Sequence, residues 1–154
     1  MFKNIILVLL LAFSFSHAKE NQIINKAVFD CSAKDLSYIN SRLQLIERTN
    51  LDFKDLNQKS DFVLTIHSHC TPIVSNDAIF FYTEKDAKTI ESIHNQLKKL
   101  NLTYNVEIRV CEIALNHFGI LKAELLDGIK TTKNSFMDVI QLQNQGYALF
   151  PLMD

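Results

Sequence analysis

Two kinds of hydrophobic pattern alternate along this chain. Unbroken apolar runs of strand length are separated by stretches in which apolar residues recur every three or four positions. Lys26 to Cys31 holds Ala27-Val28-Phe29 before Asp30, and Phe62 to His67 holds Phe62-Val63-Leu64-Thr65-Ile66. Runs of this kind suit parallel strands covered on both faces. Between them Leu36, Ile39, Leu43 and Ile46 form one stripe, which predicts a helix from about Asp35 to Arg48. Ala87, Ile90, Ile93, Leu97 and Leu100 predict a second helix from about Lys85 to Leu100. Val106 to Cys111 reads as a third strand. Glu107 and Arg109 alternate with its apolar residues, so one face should be wet or meet a polar partner.

The C-terminal part repeats the alternation in shorter pieces. A short helix is expected over Ile113 to Phe118 and a turn near Leu121 to Leu126, and Gly128 precedes a brief strand from Ile129 to Thr132. Ser135 and Asp138 have the spacing of a capping box. They would open a helix carrying Phe136, Val139, Ile140 and Leu142 and ending before Gly146. Tyr147 to Phe150 is the last expected strand, stopped by Pro151. Thr71 to Tyr82 fits neither period. Pro72 interrupts it, and Ile79-Phe80-Phe81-Tyr82 suits either core packing or a contact between subunits. Strands alternating with helices imply an α/β fold: a three-layer α/β/α sandwich around a mostly parallel five-stranded sheet.

The N-terminus changes the picture of where this domain works. Lys3 precedes an apolar run from Ile5 to Phe15, and Ser16-His17-Ala18 has small residues where signal peptidase reads them. Residues 1–18 are therefore expected to be a cleavable signal peptide. The other reading, a membrane anchor, conflicts with a run far shorter than the ~20 residues of a spanning helix. Residues 19–154 then form a single domain in the periplasm, with no membrane attachment after cleavage. The 16 basic and 17 acidic residues nearly balance, and no basic cluster suggests a nucleic-acid partner. The chain has three glycines, with no G-x-G-x-x-G and no P-loop, so nucleotide binding is not supported. No cofactor is expected.

Three cysteines remain as the chemical signal. Cys31, Cys70 and Cys111 each follow an apolar run, which brings them to one rim if the runs are parallel strands. An odd number leaves at least one thiol without an internal partner. If the first two strands are neighbours, their spacing of roughly 4.8 Å would allow a Cys31–Cys70 disulfide, unless the loop after His67 carries Cys70 away. Cys111 is then either a buried structural residue or a reactive one. A helix start just beyond it would favour the thiolate, and Glu112 would oppose it. His67, His69 and Cys70 offer a second possibility, a metal site completed by Cys31, Cys111 or His117. Alternatively, one histidine meets a backbone carbonyl and the other meets solvent. Asp30 and Asp35 flank the first loop; they could act with a histidine in acid–base work, or else Asp30 would bind backbone amides in the loop and Asp35 would start the helix. Asn101-Leu102-Thr103 is formally a glycosylation sequon, of no expected consequence behind a bacterial signal.

Three segments resemble the DsrE/DsrF-like family. They are Val28-Phe29-Asp30 leading into Lys34-Asp35-Leu36, then Val63-Leu64-Thr65-Ile66-His67-Ser68, and Asp138-Val139-Ile140-Gln141-Leu142-Gln143 leading to Gln145-Gly146-Tyr147-Ala148. The resemblance covers roughly Lys26 to Leu152. It implies a five-stranded parallel sheet and assembly into homotrimers or homohexamers. Some members carry sulfur as a persulfide on a cysteine after the third strand, the position of Cys111. The expectation is thus a periplasmic sulfur-relay protein, at most a sulfurtransferase-like carrier. Cys111 would bear the sulfur, with Asp30, His67, His69, Cys70 and Cys31 in support. Its partners would be copies of itself and sulfur donor and acceptor proteins. The alternative is a non-catalytic module binding a metal or small ligand at the same rim.

Overall fold

A computed structural model describes residues 23–154. The expected signal peptide, residues 1–18, lies outside the described residues. Five strands form one sheet in the order β4-β3-β2-β1-β5, every pair parallel. They are β1 (Ile24–Cys31), β2 (Lys59–Ile66), β3 (Glu107–Cys111), β4 (Lys130–Thr132) and β5 (Ala148–Leu152). The helices are α1 (Leu36–Asp55), α2 (Ala87–Tyr104), α3 (Glu112–Phe118) and α4 (Ser135–Asn144). This is the α/β architecture that the alternation of periods implies. Among the described residues no helix is long and apolar enough to cross a membrane.

The two faces of the sheet are unequal, and the period-2 alternation of side chains decides which residue meets which. Phe29 and Cys31 of β1, Leu64 and Ile66 of β2, and Ile108 and Val110 of β3 point to the face covered by α1 and α2. There they meet the helical stripes Leu36-Ile39-Leu43-Ile46 and Ile90-Ile93-Leu97-Leu100. Each fully buried aliphatic side chain contributes about 1.5–3 kcal/mol, so this large core carries most of the stability. The other face has a small core of Val28, Val63, Val139 and Leu142, covered by α4. On β1, β2 and β3 this face also carries the polar residues Asp30, Thr65, Glu107 and Arg109.

Helix α1 runs about two turns past the expected end at Arg48. Phe53 packs edge-on against Phe62 of β2 at 6.2 Å between ring centroids, and that contact extends the buried stripe. Asp35 caps α1, accepting from the Tyr38 amide at 2.6 Å. The stretch after β2 whose pattern fits neither period is a pair of 3₁₀ turns, Ser68–Val74 and Ala78–Phe81. Pro72 sits inside the first, and Phe80 is left exposed at the tip of the second.

Two expectations about the C-terminal segment need correction. Pro151 does not end the last strand but lies within β5, which is tolerated because β5 is an edge. The Ser135–Asp138 capping box does not form. Asn134 is the cap and accepts from the Phe136 amide at 2.9 Å. Gly146 follows the helix in a left-handed conformation (φ 87°), as expected of a C′ residue.

Asp138 instead turns onto the sheet, where its Oδ1 accepts from Arg109 Nη1 at 2.6 Å. Arg109 also donates to Glu107 at 3.0 Å, so the polar side of β3 has partners in the protein. Asp138 is nearly buried, and its other oxygen has no partner among the described residues. Removing the guanidinium would leave that carboxylate uncompensated, whereas Arg109 itself keeps some contact with water. We therefore expect Arg109→Met to lower stability by about 2 kcal/mol in urea unfolding. An unchanged midpoint would show that α4 docks through its two apolar contacts alone.

Candidate functional site

The carboxyl ends of β1, β2 and β3 carry the residues singled out above, and the fold sorts them onto opposite faces. Cys31 and Cys70 point into the large core and are joined by a disulfide with a Cα–Cα distance of 5.9 Å. Cys111, two strands away, belongs to neither apolar core; it is the free cysteine and is 4% exposed. The three sulfurs thus share a rim but not a site. The bond ties the end of β1 to the turn after β2. Within that turn the His67 amide donates to the Cys31 carbonyl and the Cys70 amide to the His67 carbonyl. Ser68 adopts φ 53°, an uncommon conformation for a non-glycine residue, and it lets the chain swing from strand into turn.

His67 is held by an acidic partner from the neighbouring strand. Its Nε2 lies 3.2 Å from both oxygens of Asp30. Thr65 donates to the same carboxylate at 2.6 Å. Burial pushes the Asp30 carboxyl up, but the hydrogen bonds from His67 and Thr65 outweigh it and hold the group below its ordinary value. An ionised carboxylate can only accept, so the proton of this contact sits on His67 Nε2. Nδ1 makes no hydrogen bond among the described residues and is free to take a proton when the ring is neutral. The Phe136 ring meets the imidazole edge-on at 6.0 Å and limits how it can tilt.

Cys111 and His67 border one cavity of about 370 Å³, together with Ser68, His117, Asn134 and Phe136. Cys111 is the last residue of β3 and caps α3, with an extended backbone (φ −71°, ψ 122°). Glu112 is not a bare charge beside it. The Glu112 carboxylate is bound by Lys122 at 2.5 Å and by Thr131 at 2.8 Å, and these contacts, Lys122 first, hold it below its ordinary value. The expected opposition of Glu112 to a thiolate is thereby blunted. The arrangement offers a sulfur nucleophile, a histidine oriented by a carboxylate, and a largely apolar wall to keep water away.

The metal alternative does not assemble. Cys70 is consumed by the disulfide, and His69 is exposed and turns towards Asp154 at the C-terminus. His67 and His69 would share a face only on an extended segment, and the 3₁₀ turn beginning at Ser68 ends that alternation. Among the described residues no group of three or more His, Cys, Asp or Glu side chains could hold a metal ion. Asp35 is likewise remote in role, serving as the α1 cap. Sequence reasoning missed Thr65, Ser68, Asn134 and Phe136. Thr65, a polar residue inside an otherwise apolar run, was the one with a legible signal.

Comparisons with known proteins agree with this architecture. The model of the DsrE/DsrF-like family matches residues 25–152. An uncharacterized protein of Aquifex aeolicus (strain VF5) is 40% identical over 126 residues, which is 82% of this chain. The chain spans about half the length of that relative (55%). The structure of MTH1491, a protein of unknown function from Methanobacterium thermoautotrophicum, superposes with a TM-score of 0.66 at 15% identity. That match covers 82% of this chain and 98% of the other. The ychN protein of E. coli gives 0.52 at 19% identity, over 86% and 99% of the two chains. At these identities the two structures speak for the fold alone. With the family match running from the first strand to the last, the chain belongs to the DsrE/DsrF-like family.

Proposed function

We propose that this protein carries reduced sulfur as a persulfide on Cys111 and passes it between partner proteins. The observation that supports this reading best is the shared cavity. Its wall includes both the free cysteine, at the end of the third strand, and a histidine whose Nε2 is held by Asp30. Loading is a thiol exchange. The Cys111 thiolate attacks the outer sulfur of a donor persulfide or polysulfide, the old S–S bond breaks, and the shortened donor leaves as a thiolate. His67 Nδ1 takes the proton that the thiol gives up. Unloading runs the same step in reverse order, with an acceptor thiolate attacking the outer sulfur of Cys111. No net oxidation occurs, so no organic cofactor is required.

We further propose a periplasmic site of action and a homo-oligomeric state, a trimer or hexamer. The N-terminal pattern of Lys3 and the apolar run Ile5–Phe15 supports export, and the Cys31–Cys70 bond suits an oxidising compartment.

The test is intact-mass analysis of the mature protein after incubation with polysulfide. We expect a gain of one sulfur atom (about 32 Da) that reductant removes. A mass unchanged by polysulfide, in protein that still shows a free thiol when denatured, would remove the carrier role.

A further inference from the structure

A second and larger cavity lies on the opposite face of the sheet from Cys111. It is a groove of about 450 Å³ between α1 and the edge strand β5. It exists because α1 packs over β1 and β2 and leaves β5 uncovered on that side. Phe29 and Phe62, both buried, form the floor and meet edge-on at 5.3 Å. Phe150 of β5 stacks on Phe29 at 5.5 Å yet stays half-exposed. Leu45, also half-exposed, forms part of the helical wall. The groove follows one face of α1 from Tyr38 through Arg42, Leu45 and Thr49 to Phe53, about 22 Å at the helical rise.

One end of this groove differs in chemistry from the rest. Arg42 lies over the Tyr38 ring at 5.0 Å and makes one long hydrogen bond, to Ser41 at 3.4 Å. No carboxylate pairs with Arg42 among the described residues, and no aspartate or glutamate lines the groove. The Tyr38 hydroxyl is likewise without an acceptor there. Lys26, also at the groove, directs its amine elsewhere, to the Gln145 carbonyl and over the Tyr147 ring. Thus an elongated aromatic slot ends at a guanidinium that has no anion. Volumes of this size are typical of small-molecule sites, with apolar walls and few polar anchors. A guanidinium matches a carboxylate in both charge and geometry.

We propose that the α1–β5 groove binds a free medium-chain carboxylate, its alkyl body along Phe29, Phe53, Phe62 and Phe150 and its head on Arg42 and Tyr38. The site is independent of the Cys111 chemistry.

Titration of the full mature chain with decanoate, followed by amide NMR, tests this proposal. Decanol and decyltrimethylammonium serve as neutral and cationic probes. Saturable shifts are expected along Tyr38 to Phe53 and Ala148 to Leu152, with decanoate at least tenfold tighter than the cation. Arg42→Glu, a change on the helix surface, should weaken decanoate at least tenfold and leave decanol within twofold. Ala148→Trp should fill the groove and abolish all three. Absence of saturable shifts would overturn the proposal, as would equal affinities for the three probes. So would a second copy seated in the groove, seen as self-association that Ala148→Trp abolishes and decanoate leaves intact.

Discussion

Replacing Cys111 with alanine is expected to abolish sulfur loading while leaving the fold standing. The wild-type chain exposed to polysulfide should gain one reductant-sensitive sulfur, and Cys111→Ala should gain none. The contrast is sharp because the other two sulfurs are bonded to each other inside the large core. They offer no thiol to a donor. The variant loses one small, nearly buried group, at a stability cost of about 1 kcal/mol, so a folded protein should remain for comparison. A His67→Ala chain should still load, but more slowly. Proton transfer to a positioned imidazole is typically worth about 100-fold or more in rate. The slowing should fade as pH rises and hydroxide does the work of the imidazole. If Cys111→Ala loads as well as the wild type, the sulfur sits elsewhere and the proposed function falls.

Loss of the Cys31–Cys70 bond should produce the largest change in stability. The two residues are 39 apart in sequence, and closing a loop of that length removes about 4 kcal/mol of chain entropy from the unfolded state. A Cys31→Ala/Cys70→Ala chain should therefore unfold at a markedly lower urea midpoint. Both cysteines are at most 1% exposed, so reductant should break the bond only as fast as the region opens. The same bond braces the segment that presents His67 and Ser68 to the Cys111 cavity. The double variant should thus load sulfur more slowly even under conditions where it remains folded. A midpoint equal to that of the wild type would show that the chain is held by its core alone.

Much of the fold was legible because its elements have unambiguous periods. The β1 and β2 runs are apolar on both faces, as suits central parallel strands, and the helical stripes between them favour that reading. The Leu36-Ile39-Leu43-Ile46 stripe likewise identifies α1. Helix length was misjudged because Phe53 belongs to the stripe only through its contact with Phe62, a tertiary fact. The capping-box expectation failed because Asp138 had a stronger partner in Arg109, which no local spacing reveals. At the site, the spacing of strand ends made the Cys31–Cys70 bond conceivable and placed Cys111 on the rim. Sequence reading could not tell that Cys111 faces α4 whereas the disulfide faces α1 and α2. That follows from the pleat, where one residue of register reverses the face. His69 was misassigned for a related reason: the turn at Ser68 ends the strand, so residues two apart no longer point alike.

The proline within β5 has a further consequence for how copies of this chain can meet. The Leu152 carbonyl accepts from Ser32 and Ala33, so the backbone of Leu152 faces inward to β1. Neighbouring residues in a strand point their amides to opposite sides, and the ring nitrogen of Pro151 therefore faces outward, where it offers no donor. At the far edge β4 is three residues long, begins with Lys130 and is followed by Lys133. A short strand with lysines and a strand interrupted by proline are both poor templates for an added strand. Lateral growth of the sheet is thus disfavoured at each margin. Assembly through the faces of the sheet or through its helices is therefore favoured over strand addition at either margin.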